Sequence, residues 1–186
     1  VRVTGDGLTV CVREHLIVAT KSFGLDNLSS QGDDVVAQTE SAIDDAAAAH
    51  PSLDGKTYAF FVGPQPDSTY VVNSTDDAGA KFLDQLGLTL TPFATAQPVS
   101  DIPGHAQISN ELLADTDADL ILATSSNGAL ESVEQQPVFQ SLGAVERGAY
   151  VPLAPTLAQS IAFPSPPSLD WALEQVVPLL DSAVQR

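Results

Sequence analysis

The chain has 186 residues, enough for one domain of ordinary size and too few for a typical two-domain enzyme. At 44% apolar residues it can bury a real core, which excludes a disordered chain despite a formal net charge of −17. Seven Lys and Arg against 24 Asp and Glu exclude nucleic acid and anionic membranes as partners, because both require clustered cations.

The single cysteine, Cys11, excludes an internal disulfide and a Cys-built zinc site. No apolar run approaches the roughly 18 residues of a membrane span. No secretion signal is visible in this chain, since Asp6 interrupts the place where an apolar stretch would have to lie. Leu8-Thr9-Val10-Cys11 has the outline of a lipoprotein cleavage box without the preceding hydrophobic segment, so Cys11 is read as an ordinary thiol. The chain starts at Val and contains no Met, and is expected to be a truncated product or a fragment.

Val12, Leu16, Ala19 and Phe23 recur at helical spacing before Gly24. A second helix is predicted over 33–50, with Val35, Val36, Thr39, Ile43, Ala46 and Ala47 in one stripe and Pro51 as its stop. Residues 56–62 read as a buried strand, broken by Gly63-Pro64-Gln65-Pro66-Asp67. A short strand follows at 69–73. Then comes a helix capped by Ser74 or Thr75, with Ala78, Phe82, Leu83 and Leu86 inward and Gly87 at its end. Residues 88–91 form a weak strand, and 92–107, with three prolines, are expected to be loop. Ser109 caps a short helix to about Asp115, and Leu120-Ile121-Leu122-Ala123 is a clear strand followed by a loop at 124–128. Short helical pieces are predicted near 128–134 and 137–141, a strand at 149–153, a loop at 155–165, and a final helix capped by Ser168 and bent at Pro178.

From Lys56 onward, strands alternate with helices. This predicts an α/β fold, a three-layer α/β/α sandwich with a mainly parallel sheet, preceded by an α-helical arm. The expected division is residues 1–55 as an arm of helices and 56–186 as the lobe.

No catalytic constellation survives inspection, so no enzyme activity, cofactor or metal site is expected. Gly5-Asp6-Gly7 lacks the third glycine and the preceding strand of a dinucleotide loop. There is no phosphate-binding P-loop and no serine in a nucleophile elbow. His15, His50 and His105 lack metal-ligand spacing. Asp115-Thr116-Asp117-Ala118-Asp119 copies the start of a calcium loop, but Leu120 and Ser126 stand where Gly and Glu are needed. Open α/β sheets hold ligands beyond the carboxyl ends of their strands, which selects the loops at 63–69, 124–128 and 155–165. Small hydroxyls such as Ser125, with Asn127, would orient a polar ligand there. Tyr70, Phe93 and Phe163 would cover its apolar parts.

Four stretches together carry a resemblance. They are Ala46-Ala47-Ala48-Ala49-His50-Pro51-Ser52-Leu53-Asp54-Gly55-Lys56-Thr57; Phe82-Leu83-Asp84-Gln85-Leu86-Gly87-Leu88; Ile108-Ser109-Asn110-Glu111-Leu112-Leu113 with Asp117-Ala118-Asp119-Leu120-Ile121-Leu122; and Pro137-Val138-Phe139-Gln140-Ser141-Leu142-Gly143-Ala144-Val145 with Gly148-Ala149-Tyr150-Val151. In this order they resemble the carboxyl-terminal lobe of the helical-hinge (class III) substrate-binding proteins that deliver ferric siderophores, cobalamin or haem to ABC importers. The resemblance implies one lobe plus its interlobe connector, without the first lobe, in an extracytoplasmic (periplasmic or cell-envelope) setting. It implies a ferric siderophore or related chelate as ligand and ABC permease subunits as partners, with Glu111 docking on the permease.

The resemblance makes Arg147, the cation near the strand predicted at 149–153, a ligand-binding candidate; the family's usual basic residue follows the glycine, whereas here Arg147 precedes Gly148. With so few cations, a neutral hydroxamate chelate fits better than an anionic catecholate. For haem, Tyr70 or His105 would ligate the iron. A lone lobe would also expose the apolar wall of its cleft, so a homo-oligomer through that face is expected. The rival reading is a stand-alone α/β protein-interaction module derived from such a receptor.

Overall fold

The computed structural model describes residues 29–65, 67–125 and 129–186. The helix expected over residues 12–23 and the site candidate Asn127 lie outside these.

Helix α1 spans Ser29–Ala49, beginning four residues earlier than its stripe predicts and stopping before His50-Pro51. Val36, Thr39 and Ile43 are its buried face. A 3-10 turn, Pro51–Leu53, leads into β1, Thr57–Val62. Strand β2, Ser68–Val72, returns antiparallel to β1. Helix α2, Ala78–Gln85, is capped by Asp77 rather than by Ser74 or Thr75: the Asp77 carboxylate accepts from Ala80 N at 3.1 Å. The two-residue strand β3, Thr89–Leu90, runs parallel beside the start of β1.

The stretch expected to be loop holds two elements. Helix α3 is Pro92–Ala96, with Thr91 as its cap, and strand β4 is His105–Ser109. Next, Asn110–Thr116 forms a 3-10 helix rather than an α-helix. Strand β5, Leu120–Thr124, is buried at every position. Three one-turn helices follow: α4, Leu130–Glu134; α5, Pro137–Gln140; and α6, Gly143–Glu146. After β6, Tyr150–Pro152, the expected loop is instead helix α7, Pro155–Ala162, with Pro155 in its first turn. Helix α8 is Pro166–Val184; Ser165 caps it and Ser168 completes a capping box, so the cap lies three residues ahead of its predicted position. The helix runs on through Pro178.

The sheet order is β4-β2-β1-β5-β6, with β3 beside β1. Only β2 opposes the direction of the others, so the six strands form a mixed, mainly parallel sheet. Helices α1, α2, α7 and α8 pack on one another and, through α8, on β5 and β6. The 3-10 helix and α3 to α6 form the other group, reaching β5 through α6 and β4 through the 3-10 helix. This is the expected three-layer sandwich. Its core runs through both faces of β1 and β5, and includes Tyr58, Phe61, Phe82, Leu120 and Phe139.

Candidate functional site

Two edges of the sheet differ in construction. At the amino edge of the parallel strands, carboxylates staple segments together. Asp119 accepts from Thr57 N and Thr57 Oγ1, both at 2.9 Å, joining the starts of β1 and β5. Those bonds, chiefly the one from Thr57 N, hold the Asp119 carboxyl below the usual carboxylate range, with Lys56 adding to them. Asp117 accepts from Gly143 N at 2.9 Å and Ala144 N at 3.0 Å, at the head of α6.

At the carboxyl edge, backbone bonds do the holding. Gly63 N donates to Thr124 O at 2.9 Å, and Gly63 takes φ +56, a left-handed conformation that side chains disfavour. Gln65 N donates to Ser68 O at 2.7 Å, closing the β1–β2 turn, and Asn110 N donates to Asp67 O at 3.2 Å. Leu153 N donates to Ala123 O at 2.8 Å, and Thr124 Oγ1 donates to Leu153 O at 3.1 Å.

A polar sheet face adjoins this edge. In β2 and β4, Thr69, Val71, Ala106 and Ile108 are buried on one face. On the other face the pairs are Ser68 with Ser109, Tyr70 with Gln107, and Val72 with His105. Gln107 and Ser109 are exposed, Ser68 and Tyr70 are half-buried, and Gln107 Nε2 donates to Ser68 Oγ at 3.0 Å. The face closes at Val72, which is buried. The rim therefore presents hydroxyls, amides and one phenol, with the exposed Asp67 and Glu111 beside them.

The predicted site residues divide. Ser125, just past β5 and buried, and Tyr70 lie at the carboxyl edge. His105 shares the Tyr70 face as a diagonal cross-strand neighbour, though at the amino end of β4, with Nδ1 3.0 Å from Pro103 O. Phe93, on α3, is half-buried against the core. Arg147 precedes β6 at the opposite edge and donates to Ala118 O at 3.1 Å and Asp119 O at 3.4 Å. Phe163 is 78% exposed beyond the end of α7, which starts at the carboxyl edge and runs back toward α2. Glu111 is exposed in the first turn of the 3-10 helix, on the carboxyl side of β4. Ser68 lies within the selected stretch 63–69, whereas Gln107 and Ser109 were not among the sequence candidates; the period-2 pattern of His105-Ala106-Gln107-Ile108-Ser109 signals their strand, and its pairing with β2 brings them to Tyr70 and Ser68.

The described cations are all engaged elsewhere. Lys56 pairs with Asp119 at 3.5 Å, Lys81 with Asp76 at 3.5 Å, Arg147 holds the two carbonyls, and Arg186 Nη1 donates to Gly148 O at 3.5 Å. Among the described residues, no group of three or more His, Cys, Asp and Glu could hold a metal ion, and no helix is long and apolar enough to cross a membrane.

The sequence matches the periplasmic binding protein family over residues 24–155, and the chain belongs to that family, one of binding proteins rather than enzymes. No curated protein is significantly similar to it. Among solved structures it is similar to PiaA, the iron uptake ABC transporter substrate-binding protein of Streptococcus pneumoniae, with 23% identity and a TM-score of 0.69 over 94% of this chain and 60% of that one. A periplasmic solute binding protein of Mycobacterium smegmatis gives 18% identity and a TM-score of 0.75, over 94% and 57%. FhuD2 of Staphylococcus aureus, with bound ferrioxamine B, gives 16% and 0.72, over 93% and 65%. The chain thus spans about three fifths of the length of these proteins.

Proposed function

We propose that the chain is the ligand-binding lobe of a metal-chelate receptor for an ABC importer, acting outside the cytoplasm, with residues 1–55 as the connector and 56–186 as the lobe. The ligand is a neutral or weakly charged ferric chelate of the hydroxamate type, seated on the carboxyl rim by Ser68, Tyr70, Gln107, Ser109 and Ser125. The observation that carries this reading is the charge distribution. A highly anionic chelate needs cations at its seat, and all four described cations are tied to carboxylates or carbonyls away from the rim. Hydroxamates that balance the ferric charge leave a complex bound by hydroxyls, amides and aromatic cover. One neighbour, FhuD2, holds ferrioxamine B, which supports the same class. Glu111 is proposed to dock on basic residues of the permease; unchanged permease association of Glu111→Lys would reject that role.

The test is a titration of the chain with a ferric trihydroxamate and, separately, a ferric catecholate, read by Trp171 and Tyr fluorescence. Saturable quenching by the hydroxamate alone, weakened at least tenfold in Tyr70→Ala, is the expected result. Equal or tighter catecholate binding would overturn the ligand class, and no quenching by either would overturn the receptor reading. A haem ligand is the second reading, favoured by Tyr70 and His105 sharing one sheet face. A visible-band shift on adding haemin, lost in Tyr70→Phe, would select it.

A further inference from the structure

The joint between α1 and the lobe carries a polar cluster that the ligand reading does not use. His50 follows the last residue of α1, Ser52 lies in the 3-10 turn, and both reach Asp181 near the end of α8. His50 Nδ1 is 3.3 Å from Asp181 Oδ2, Ser52 Oγ donates to Asp181 Oδ1, and Gln185 Nε2 donates to Asp181 Oδ2 at 2.9 Å. The side chains of His50 and Asp181 are only 30% and 24% exposed. This is not a hydrolytic triad. Such a triad needs His between Ser and Asp, whereas here Ser52 and His50 both bind the carboxylate and the hydroxyl has no base.

We infer that Asp181, with His50, Ser52 and Gln185, is a clasp that sets the direction in which α1 leaves the lobe. These are positioning residues for α1. The geometry explains why a clasp is needed. Pro51 ends the helix, so no continuous helical bond ladder fixes its direction. The buried stripe of Val36, Thr39 and Ile43 packs α1 against the lobe in its middle, ahead of the joint. His50 and Ser52, converging from the joint on one carboxylate of α8, add fixed polar contacts at the base of α1, while Gln185 braces that carboxylate from the end of α8 itself. The hydrogen bond from Ser52, the largest effect, keeps the Asp181 carboxyl below the ordinary range and so in its acceptor form. The lever is long: α1 has 21 residues, so a small tilt at its base is amplified at its far end.

The inference needs no ligand, so it stands or falls independently of the chelate reading. The test is a spin–spin distance in the full chain. Labels are placed at Val35→Cys on α1 and Gln159→Cys on α7, in a Cys11→Ser background. Residue 35 lies about 21 Å from the end of α1, so a tilt of about 10° displaces it by about 4 Å. Asp181→Ala is expected to shift or broaden the distance by at least about 3 Å, with Asp181→Asn, which keeps a carbonyl acceptor, lying between it and the parent. A clasp that only stabilises would lower the unfolding midpoint and leave the distance unchanged. A distance within about 1 Å of the parent in folded Asp181→Ala would therefore overturn the inference. If Asp181→Ala fails to fold, the double variant His50→Gln, Ser52→Ala is read against the same thresholds.

Discussion

Replacing Asp119 by Asn tests whether charge at the amino edge stabilises the sheet. The Asp119 carboxylate receives Thr57 N and Thr57 Oγ1 at 2.9 Å each, while Asp119 N donates back to Thr57 Oγ1 at 3.1 Å. The loop thus closed ties the first turn of β1 to the entry of β5. Hydrogen bonds to a charged acceptor contribute about 1.5–3 kcal/mol when shielded. The Asp119 side chain is 39% exposed, and the Lys56 pair at 3.5 Å is a surface pair of small worth, so solvent screening reduces the charge-dependent part to about 1 kcal/mol. The pH dependence has a definite sign. The folded carboxyl sits below its unfolded value of about 3.9, so the folded state gains from ionisation. That gain is present above the unfolded value and is lost as pH falls through the lower folded one. Urea unfolding of the parent and Asp119→Asn at pH 7 should therefore differ by about 1 kcal/mol, and the difference should narrow steadily between about pH 5 and pH 3. A difference at pH 7 below about 0.3 kcal/mol, or one that stays constant down to pH 3, would refute the reasoning.

Two further substitutions probe the layer of short helices that packs on β5. Phe139 is 1% exposed and meets Phe61 at 6.2 Å and Tyr150, edge-on, at 5.1 Å, so Phe139→Ala should cost about 3–5 kcal/mol by urea unfolding, and a loss under about 1.5 would show the site collapsing around the void. A Cβ on Gly143 would sit 2.6 Å from Asp117 Oδ2 and 3.0 Å from Arg147 Nη1, so Gly143→Ala should expel the Asp117 carboxylate from the head of α6 and cost about 1–2 kcal/mol; unchanged stability would mean that this cap contributes nothing.

The elements legible in the sequence were those whose burial is complete or whose stripe is long. Tyr58-Ala59-Phe60-Phe61 and Leu120-Ile121-Leu122-Ala123 are buried from both sides and read as unbroken apolar runs. In the nineteen-residue α8, Leu169, Ala172, Leu173, Val176, Val177 and Leu180 repeat at helical spacing. Strand β4 escaped because only Ala106 and Ile108 point inward, and three prolines in the preceding stretch suggested loop. With β4 hidden, half of the rim face was hidden too: Gln107 and Ser109 are invisible as site residues until Tyr70 and Ser68 are paired across from them. The place of Ser125 at the carboxyl edge is legible from position alone, since residues just past a buried parallel strand lie there. Arg147 was misleading because nearness in sequence to β6 does not say which end of the strand it serves; it serves the amino end. Helix α7 was missed for a similar reason to β4. Pro155 reads as a breaker, but in a first turn it costs no hydrogen bond, and Leu157, Ala158 and Ile161 then face the core.

The contrast between the two edges separates stability from function in this lobe. Asp77, Asp117, Asp119 and Asp181 each join segments that are apart in sequence or cap a helix, and their bonds lie toward the amino ends of the parallel strands and the end of α8. The carboxyl edge is held mainly by backbone bonds from Gly63, Gln65, Asn110 and Leu153, which, apart from the glycine at 63 and the Thr124 hydroxyl, depend little on which side chains stand there. A surface built this way can change its hydroxyls and amides without loosening the fold, as ligand rims on rigid α/β scaffolds do. On the proposed reading, Asp119→Asn should weaken folding while leaving affinity for the proposed ferric hydroxamate unaltered, and Tyr70→Ala should lower that affinity with little effect on folding. If Asp119→Asn instead changed affinity in proportion to its effect on folding, the two edges would be one cooperative unit, and the rim could not be assigned to binding on geometry alone.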